Sequence, residues 1–179
     1  MSSQEKLSMS VGEAMFTQRS IRRIKPDPIP VQDMKTFLEA AVKAPNGGNA
    51  QPARFVVVND SAKIEALGEL YLEAWWAKRR DIQGWHSIED IPPSETIYLS
   101  ATRFAEAFGK VPLVVLPTAP KGTPSNSVLP WLQNMMLAAR ALGIGSVLTT
   151  LHPQVEARTA KLFSIPQDVE IFGCVPMGY

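Results

Sequence analysis

Three short stretches of this 179-residue chain carry residue types able to hold a ligand. Arg19-Ser-Ile-Arg-Arg-Ile-Lys25 sets four cations around one hydroxyl, with no acid before Asp27. Guanidinium forks and a serine hydroxyl suit phosphate oxygens, which accept several directed hydrogen bonds. In an extended chain Arg19 and Arg23 share one face and Arg22 points to the other. The alternative is a solvated basic loop, the usual fate of a charge run. Ala44-Pro-Asn-Gly-Gly-Asn-Ala-Gln-Pro52 pairs two glycines, free to take positive φ and bring backbone close to a ligand, with the amides of Asn49 and Gln51. No Lys-Ser/Thr follows, so it is not a P-loop, and a polar turn between helix and strand accounts for it as well. Gly143-Ile-Gly-Ser-Val-Leu-Thr-Thr-Leu151 could offer backbone and hydroxyl groups to a planar ring, or run as a core strand. It lacks the third glycine and following helix of a dinucleotide fingerprint.

Other reactive side chains stand alone. His152 precedes Pro153 with no recognisable nucleophile motif around it, and Cys174 sits in an apolar run, where a thiol is an inert core group. Trp75, Trp76 and Trp85 lie near a helix end, where packing explains them as well as a pocket does. No catalytic triad, carboxylate pair or metal-ligand spacing emerges, so no catalytic residue is assigned and no metal is expected.

The elements that must position these stretches follow from periodicity and breakers. Ser10-Val-Gly-Glu13 is a capping-box pattern opening a short helix over Val11–Gln18. Arg19–Pro30, spaced by prolines, reads as extended chain. Val31, Met34, Phe37, Leu38 and Ala41 fall on one helical face within Val31–Lys43, which must stop before Pro45. Phe55–Val58 and Leu113–Leu116 are short buried strands, with a Pro/Gly/Ser loop expected over Pro117–Ser125. Ser61–Arg80 is helical, Asp81–Ser94 irregular, and Glu95–Phe108 helical again. Val128–Leu142 is apolar almost all round, which predicts a helix with no solvent face, central to the core or shared with a second chain. Gly145–Leu151 reads as a strand, Gln154–Phe163 as a helix and Val169–Val175 as a strand. Interleaved helices and strands define an α/β or α+β layer architecture.

Composition bounds the function. With 18 Lys+Arg against 17 Asp+Glu, the net charge of +1 gives no general pull toward nucleic acid or anionic membrane. One cysteine excludes an internal disulfide framework. No apolar run approaches the roughly 20 residues of a membrane helix, and Met1–Ser10 lacks the apolar core of a signal peptide. The expectation is one domain over residues 1–179, soluble and cytoplasmic.

In order along the chain, the basic stretch through Pro30, the Ala44–Pro52 turn before Phe55–Val58, Leu132-Gln-Asn-Met-Met-Leu-Ala-Ala-Arg-Ala-Leu-Gly143 running into Gly145–Thr150, and the closing Val175-Pro-Met-Gly-Tyr179 form a set. That set resembles the nitroreductase family of flavin-dependent oxidoreductases from about Phe16 to Tyr179. The resemblance implies an α+β fold with a mixed sheet wrapped by helices, and a homodimer with FMN at the subunit interface. It implies that Arg19 and Ser20 hold the FMN phosphate and ribityl chain, and that Arg22 sits at the N1/O2 edge of the ring. Pro45, Asn46, Gly47 and Asn49 would reach flavin from the neighbouring subunit, while Leu148, Thr149 and Thr150 would lie along the ring. Val128–Leu142 would form dimer core.

The implied reaction is hydride transfer from NAD(P)H through flavin N5 to a nitroaromatic, quinone or similar electron-poor acceptor, with ping-pong kinetics. The alternatives are a flavin-binding sensor or storage module without turnover, a specialised reaction such as reductive dehalogenation, and an anion- or nucleic-acid-binding module built on Arg19–Lys25. Three departures from the family pattern stand out. Gln18 stands where many relatives carry arginine, and Asn46 and Ala53 replace a common serine and a common aromatic. Relatives usually carry a tail beyond Pro-Met-Gly-Tyr that embraces the partner; this sequence stops at Tyr179, either naturally short or without its tail, and both cases bear on FMN affinity and dimer stability.

Overall fold

A computed structural model describes residues 2–179. In chain order the helices are α1 (Ser3–Lys6), α2 (Val11–Thr17), α3 (Val31–Ala41), α4 (Ser61–Gln83), α5 (Thr96–Ala107), α6 (Leu129–Ala141) and α7 (Pro153–Leu162). The strands are β1 (Arg54–Val58), β2 (Leu113–Pro120), β3 (Gly145–Ser146), β4 (Val169–Ile171) and β5 (Val175–Gly178). The sheet order is β1-β2-β5-β3, with β4 also on β2, and every ladder between named strands is antiparallel. A parallel bridge joins Ser20 to Ser146 at the β3 edge, so the sheet is mixed and the fold is α+β.

β2 is buried on both faces, which is why its sequence is a continuous apolar run. Leu113 and Val115 point into one core with α3 and α6, through Phe37, Ala41, Leu132 and Met135. Val114 and Leu116 point into the other with α4 and α5, through Ile64, Leu67, Phe104 and Phe108. Helices thus cover both faces of one sheet, and β3, carrying the chemically interesting Gly145–Thr150 stretch, lies at its edge.

Local expectations needed five corrections. β2 runs on through Pro117 to Pro120 rather than ending at Leu116 in a loop. The absent Pro117 N–H falls where the opposite strand line breaks between β4 and β5; there Phe172 N–H donates to Pro117 C=O at 2.9 Å. The same break divides the strand expected over Val169–Val175 into β4 and β5. Gly145–Leu151 is strand only at Gly145 and Ser146, and it rejoins the sheet as a single bridge between Thr149 and Cys174. α6 does have a solvent face, at Leu129 and Gln133, and buries Trp131, Leu132, Met135 and Ala139 within its own chain. α4 continues three residues beyond Arg80 and stops at Gly84, whose φ of 72° makes a left-handed cap.

Candidate active site

The basic stretch is extended chain laid along the free edge of β3. Ile21 N–H donates to Ser146 C=O at 3.0 Å, and Lys25 N–H to Tyr179 C=O at 2.7 Å. Gly145 permits that approach, because a Cβ there would stand 2.7 Å from Ile21 Cγ2. Arg19 is exposed but oriented, its Nη1 donating to the carbonyls of Phe16 and Gln18 at 3.0 and 2.7 Å. Ser20 is exposed and Arg22 half-buried. Neither Arg19 nor Arg22 has a carboxylate within ion-pair distance among the described residues. With Gln18, Arg140, Gly143, Ser146 and Tyr179, Arg19 lines a cleft of about 280 Å³.

Beyond β3 the chain carries Leu148, Thr149 and Thr150 to the surface. Thr149 is pinned by two backbone hydrogen bonds with Cys174, at 2.9 and 2.7 Å, and its hydroxyl lies 2.9 Å from that of Tyr71 on α4. Lys78, two turns further along α4, donates to Thr150 Oγ1 at 3.3 Å. Leu148 is partly exposed, an apolar side chain beside these hydroxyls. Burial pushes the Tyr71 phenol up to about 12, against the Thr149 hydrogen bond and the nearby positive charges of Arg22 and Arg79, which act the other way. The charge of Arg22 reaches Tyr71, while Arg19 lines the cleft at Gly143. Arg19 thus stands at the cleft beside Gly143, and the Thr149 and Thr150 hydroxyls with the Leu148 side chain lie beyond β3.

The Asn46–Gln51 turn lies elsewhere. Gly47 N–H donates to the buried Ser127 Oγ at 3.0 Å, just ahead of α6, whereas β3 starts just after α6 ends. The length of α6, about 20 Å by its rise per residue, therefore separates the turn from the start of β3, where Arg19 and Ser20 lie. Of the two glycines only Gly48 takes positive φ (57°); Asn49 (53°) and Gln51 (48°) take it as well. Asn46 Oδ1 holds this strained turn by accepting from Gln51 N–H at 2.7 Å, and Asn49 accepts from the Gln51 amide at 3.1 Å. Pro45, Gly47 and Asn49 stay exposed. One chain brings Arg19, Ser20, Arg22 and Leu148–Thr150 together and leaves Pro45–Asn49 apart from them.

Sequence reasoning missed Tyr71 and Arg140. Tyr71 fell on the apolar stripe of α4 and read as core; its body is core, stacked on Phe108 at 4.3 Å, while its hydroxyl is not. Arg140 was overlooked as one cation in an apolar helix, although a lone charge in such a helix is itself a signal. Elsewhere on α4, Arg79 is 5% exposed and lies over Trp75 (4.7 Å) and Tyr98 (5.0 Å). Trp85 packs edge-on against Tyr98, so these aromatics serve packing. His152 caps α7, its ring nitrogen accepting from Gln154 N–H, and the Cys174 thiol is fully buried and pushed upward in pKa by that burial.

Known proteins share this architecture. The chain is 28% identical over 177 residues to a relative from Archaeoglobus fulgidus provisionally named an NADH dehydrogenase/NAD(P)H nitroreductase, covering 92% of this chain and 82% of that one. Its fold matches a crystal structure of oxidized iodotyrosine deiodinase bound to FMN and 3-iodo-L-tyrosine, with a TM-score of 0.76 at 24% identity over 95% of this chain and 89% of that one. It also matches the FMN-dependent nitroreductase NfnB from Mycobacterium smegmatis in complex with NADPH, with a TM-score of 0.72 at 22% identity over 94% and 86%. The sequence profile of the Nitroreductase family matches residues 16–179, nearly the whole length, and the chain belongs to that family.

Proposed function

We propose that the chain works as a homodimeric, FMN-dependent oxidoreductase that uses NAD(P)H to reduce nitroaromatic, quinone or similar electron-poor acceptors in the cytoplasm. The observation that carries this reading is the Ser20–Ser146 pairing, which brings the Arg19–Arg22 stretch beside the start of the Gly145–Thr150 stretch. The donor set fits FMN: carboxylate-free guanidinium groups for a phosphate at one end, and hydroxyls beside an apolar side chain for a polar planar ring at the other. Bound FMN supplies the two-electron chemistry, taking hydride from NAD(P)H and passing it to the acceptor.

This chain's residues bind, orient and stabilise. Arg19 and Ser20 hold the phosphate and ribityl chain. Arg22, beside Tyr71 and Thr149, faces the N1/O2 edge and stabilises the negative charge that reduction brings there. Leu148, Thr149 and Thr150 lie along the ring, with Tyr71 fixing the Thr149 hydroxyl. Pro45, Asn46, Gly47 and Asn49 act on the partner's cofactor, because the length of α6 keeps them from their own chain's edge. A two-fold dimer supplies from the neighbour what one chain cannot. Val11, Met15 and Phe16 support that assembly: they stand 74%, 58% and 82% exposed on α2, immediately before Arg19. No helix among the described residues is long and apolar enough to cross a membrane.

A second reading, reductive dehalogenation, is favoured by the fold match to iodotyrosine deiodinase. The test is a visible spectrum of the purified protein followed by NAD(P)H without air. Flavin absorbance that bleaches, and returns on adding a nitroaromatic or quinone, is expected. Return only with a halophenol, with halide released, selects the second reading. A protein that refuses added FMN contradicts both.

A further inference from the structure

A cavity of about 620 Å³ between α7 and β4 has no part in that account. Ala157 and Ala160 of α7 keep one wall low, and Val169, Glu170 and Ile171 form the other. It shares Ile165, Pro166 and Val169 with a recess of about 310 Å³ at Arg54, and Glu156 and Ile171 with one of about 130 Å³ at Thr150. The three make one groove along β4.

β4 is a free edge, paired with β2 alone. The sheet line beyond it is filled only alongside β5, by β3 and the Thr149–Cys174 bridge, because the chain then turns into α7 at Pro153. Phe172 N–H donates to Pro117 C=O, and Asp168 C=O accepts from Lys121 N–H. By alternation Glu170 turns its backbone to β2, and Val169 and Ile171 turn theirs away. Val169 N–H is taken by Pro166 C=O at 3.1 Å. Val169 C=O, Ile171 N–H and Ile171 C=O remain, in strand register and without a backbone partner among the described residues. Main-chain groups in a folded protein are nearly always paired.

A strand parallel to β4 satisfies all three. One of its residues lies beside Glu170, donating to Val169 C=O and accepting from Ile171 N–H; the residue two further on donates to Ile171 C=O. An antiparallel strand would set a carbonyl against the Val169 N–H that Pro166 already holds. Charge adds the side chains. Lys121 and Lys161 flank the Val169 end, Glu156 flanks the Ile171 end, and Glu170 lies between. None of the four is in an ion pair among the described residues. Glu170 also bars β4 from pairing with a second β4, since like charges opposite each other repel.

We propose that the groove along β4 docks an extended peptide segment of a partner protein, added as a parallel strand. The segment carries acidic residues first, then a cation beside Glu170 between two apolar residues, then a second cation near Glu156. Main-chain bonds supply affinity, and the alternating side chains select the partner. The segment's far end lies beside Thr150. The proposal is independent of the FMN reading.

The probe is the end-blocked, fluorescein-labelled hexapeptide Asp-Glu-Val-Lys-Val-Lys, titrated with the full chain by fluorescence polarisation. Saturable binding is expected, at least about tenfold tighter than for the reversed peptide Lys-Val-Lys-Val-Glu-Asp, which has the same composition and net charge. Methylating the backbone nitrogen of the first lysine removes the donor to Val169 C=O and should weaken binding about threefold or more. Lys121→Glu with Lys161→Glu, both at exposed positions, should weaken the first peptide about threefold or more and make Lys-Lys-Val-Lys-Val-Lys the better ligand. No saturation below about 1 mM overturns the site. Equal binding of forward and reversed peptides, an unchanged affinity after methylation, or a double variant that melts and binds like wild type each overturns it as well.

Discussion

The Tyr71 hydroxyl on α4 lies 2.9 Å from the Thr149 hydroxyl beyond β3, joining the helix layer to the sheet edge across 78 residues of sequence. The contact lets a buried aromatic, 5% exposed and stacked on Phe108, reach Thr149 of the candidate site with its one polar atom. Core packing therefore sets the orientation of a site hydroxyl.

Tyr71→Phe should lower stability by about 1 kcal/mol, the usual cost of a lost hydrogen bond. It also predicts a pH signature. Burial raises the folded phenol from 10.0 to about 12, so between those values the unfolded chain releases its proton first. Tyr71's contribution is intact below about pH 10 and lost as pH rises through about 12, by about 3 kcal/mol at most. Urea melts at pH 9 and pH 11 should show a drop in wild type that Tyr71→Phe lessens. Equal drops would show that Tyr71 is not the titrating group.

Arg22→Ala should leave the fold intact and weaken FMN about tenfold or more, or slow its reduction by a like factor, through loss of a charge-assisted contact. Flavin-quenching titration and stopped-flow reduction by NAD(P)H measure the two effects. Wild-type values for both would mean that Arg22 faces elsewhere.

Gly145→Ala should act through the extended chain packed against it. The new methyl would meet Ile21 Cγ2 at 2.7 Å and Ile21 Cβ at 2.8 Å, and Cβ is too close to the backbone to swing away. The extended chain bearing Arg19–Arg22 must shift, costing about 1 to 3 kcal/mol. FMN affinity should fall together with Tm; a loss of neither would show the chain to be loosely seated.

Cys174→Ser should cost about 1 to 3 kcal/mol, because it puts a hydroxyl into a fully buried site. Turnover per folded molecule should be unchanged, as measured with NAD(P)H and a quinone after correction for the folded fraction. A well-folded but inactive variant would give the thiol a role in catalysis.

Helix α3 was legible because its apolar spacing and its breaker agree, ending before Pro45, whereas α4 ran past its expected end at Arg80 to stop at Gly84. β2 was cut short in the sequence because Pro117 and Pro120 look like loop residues. Only the gap between β4 and β5 explains how a central strand tolerates Pro117. In the candidate site the donors Arg19, Ser20, Arg22 and Thr149 were visible as residue types. Their alignment was not, because it depends on a parallel bridge between Ser20 and Ser146, and local patterning carries no trace of a pairing so distant in sequence. Tyr71 and Arg140 were hidden for a related reason: helical periodicity reports which face is buried, not what one polar atom on that face touches.

The central claim, that each flavin site takes its cationic edge from one chain and its strained turn from the other, is tested most directly by mixing two crippled proteins. One carries Arg19→Ala and Arg22→Ala; the other carries Asn49→Gly and Gln51→Gly, which keep the positive φ and remove both amides. FMN bound per chain is measured at a concentration where neither variant alone retains cofactor. After unfolding and refolding together in equal amounts, half the dimers are mixed and each has one intact site, so about one quarter of wild-type FMN binding should return. Shared sites predict that recovery; no recovery from a well-folded mixed dimer, or a wild-type protein that binds FMN as a monomer, contradicts them.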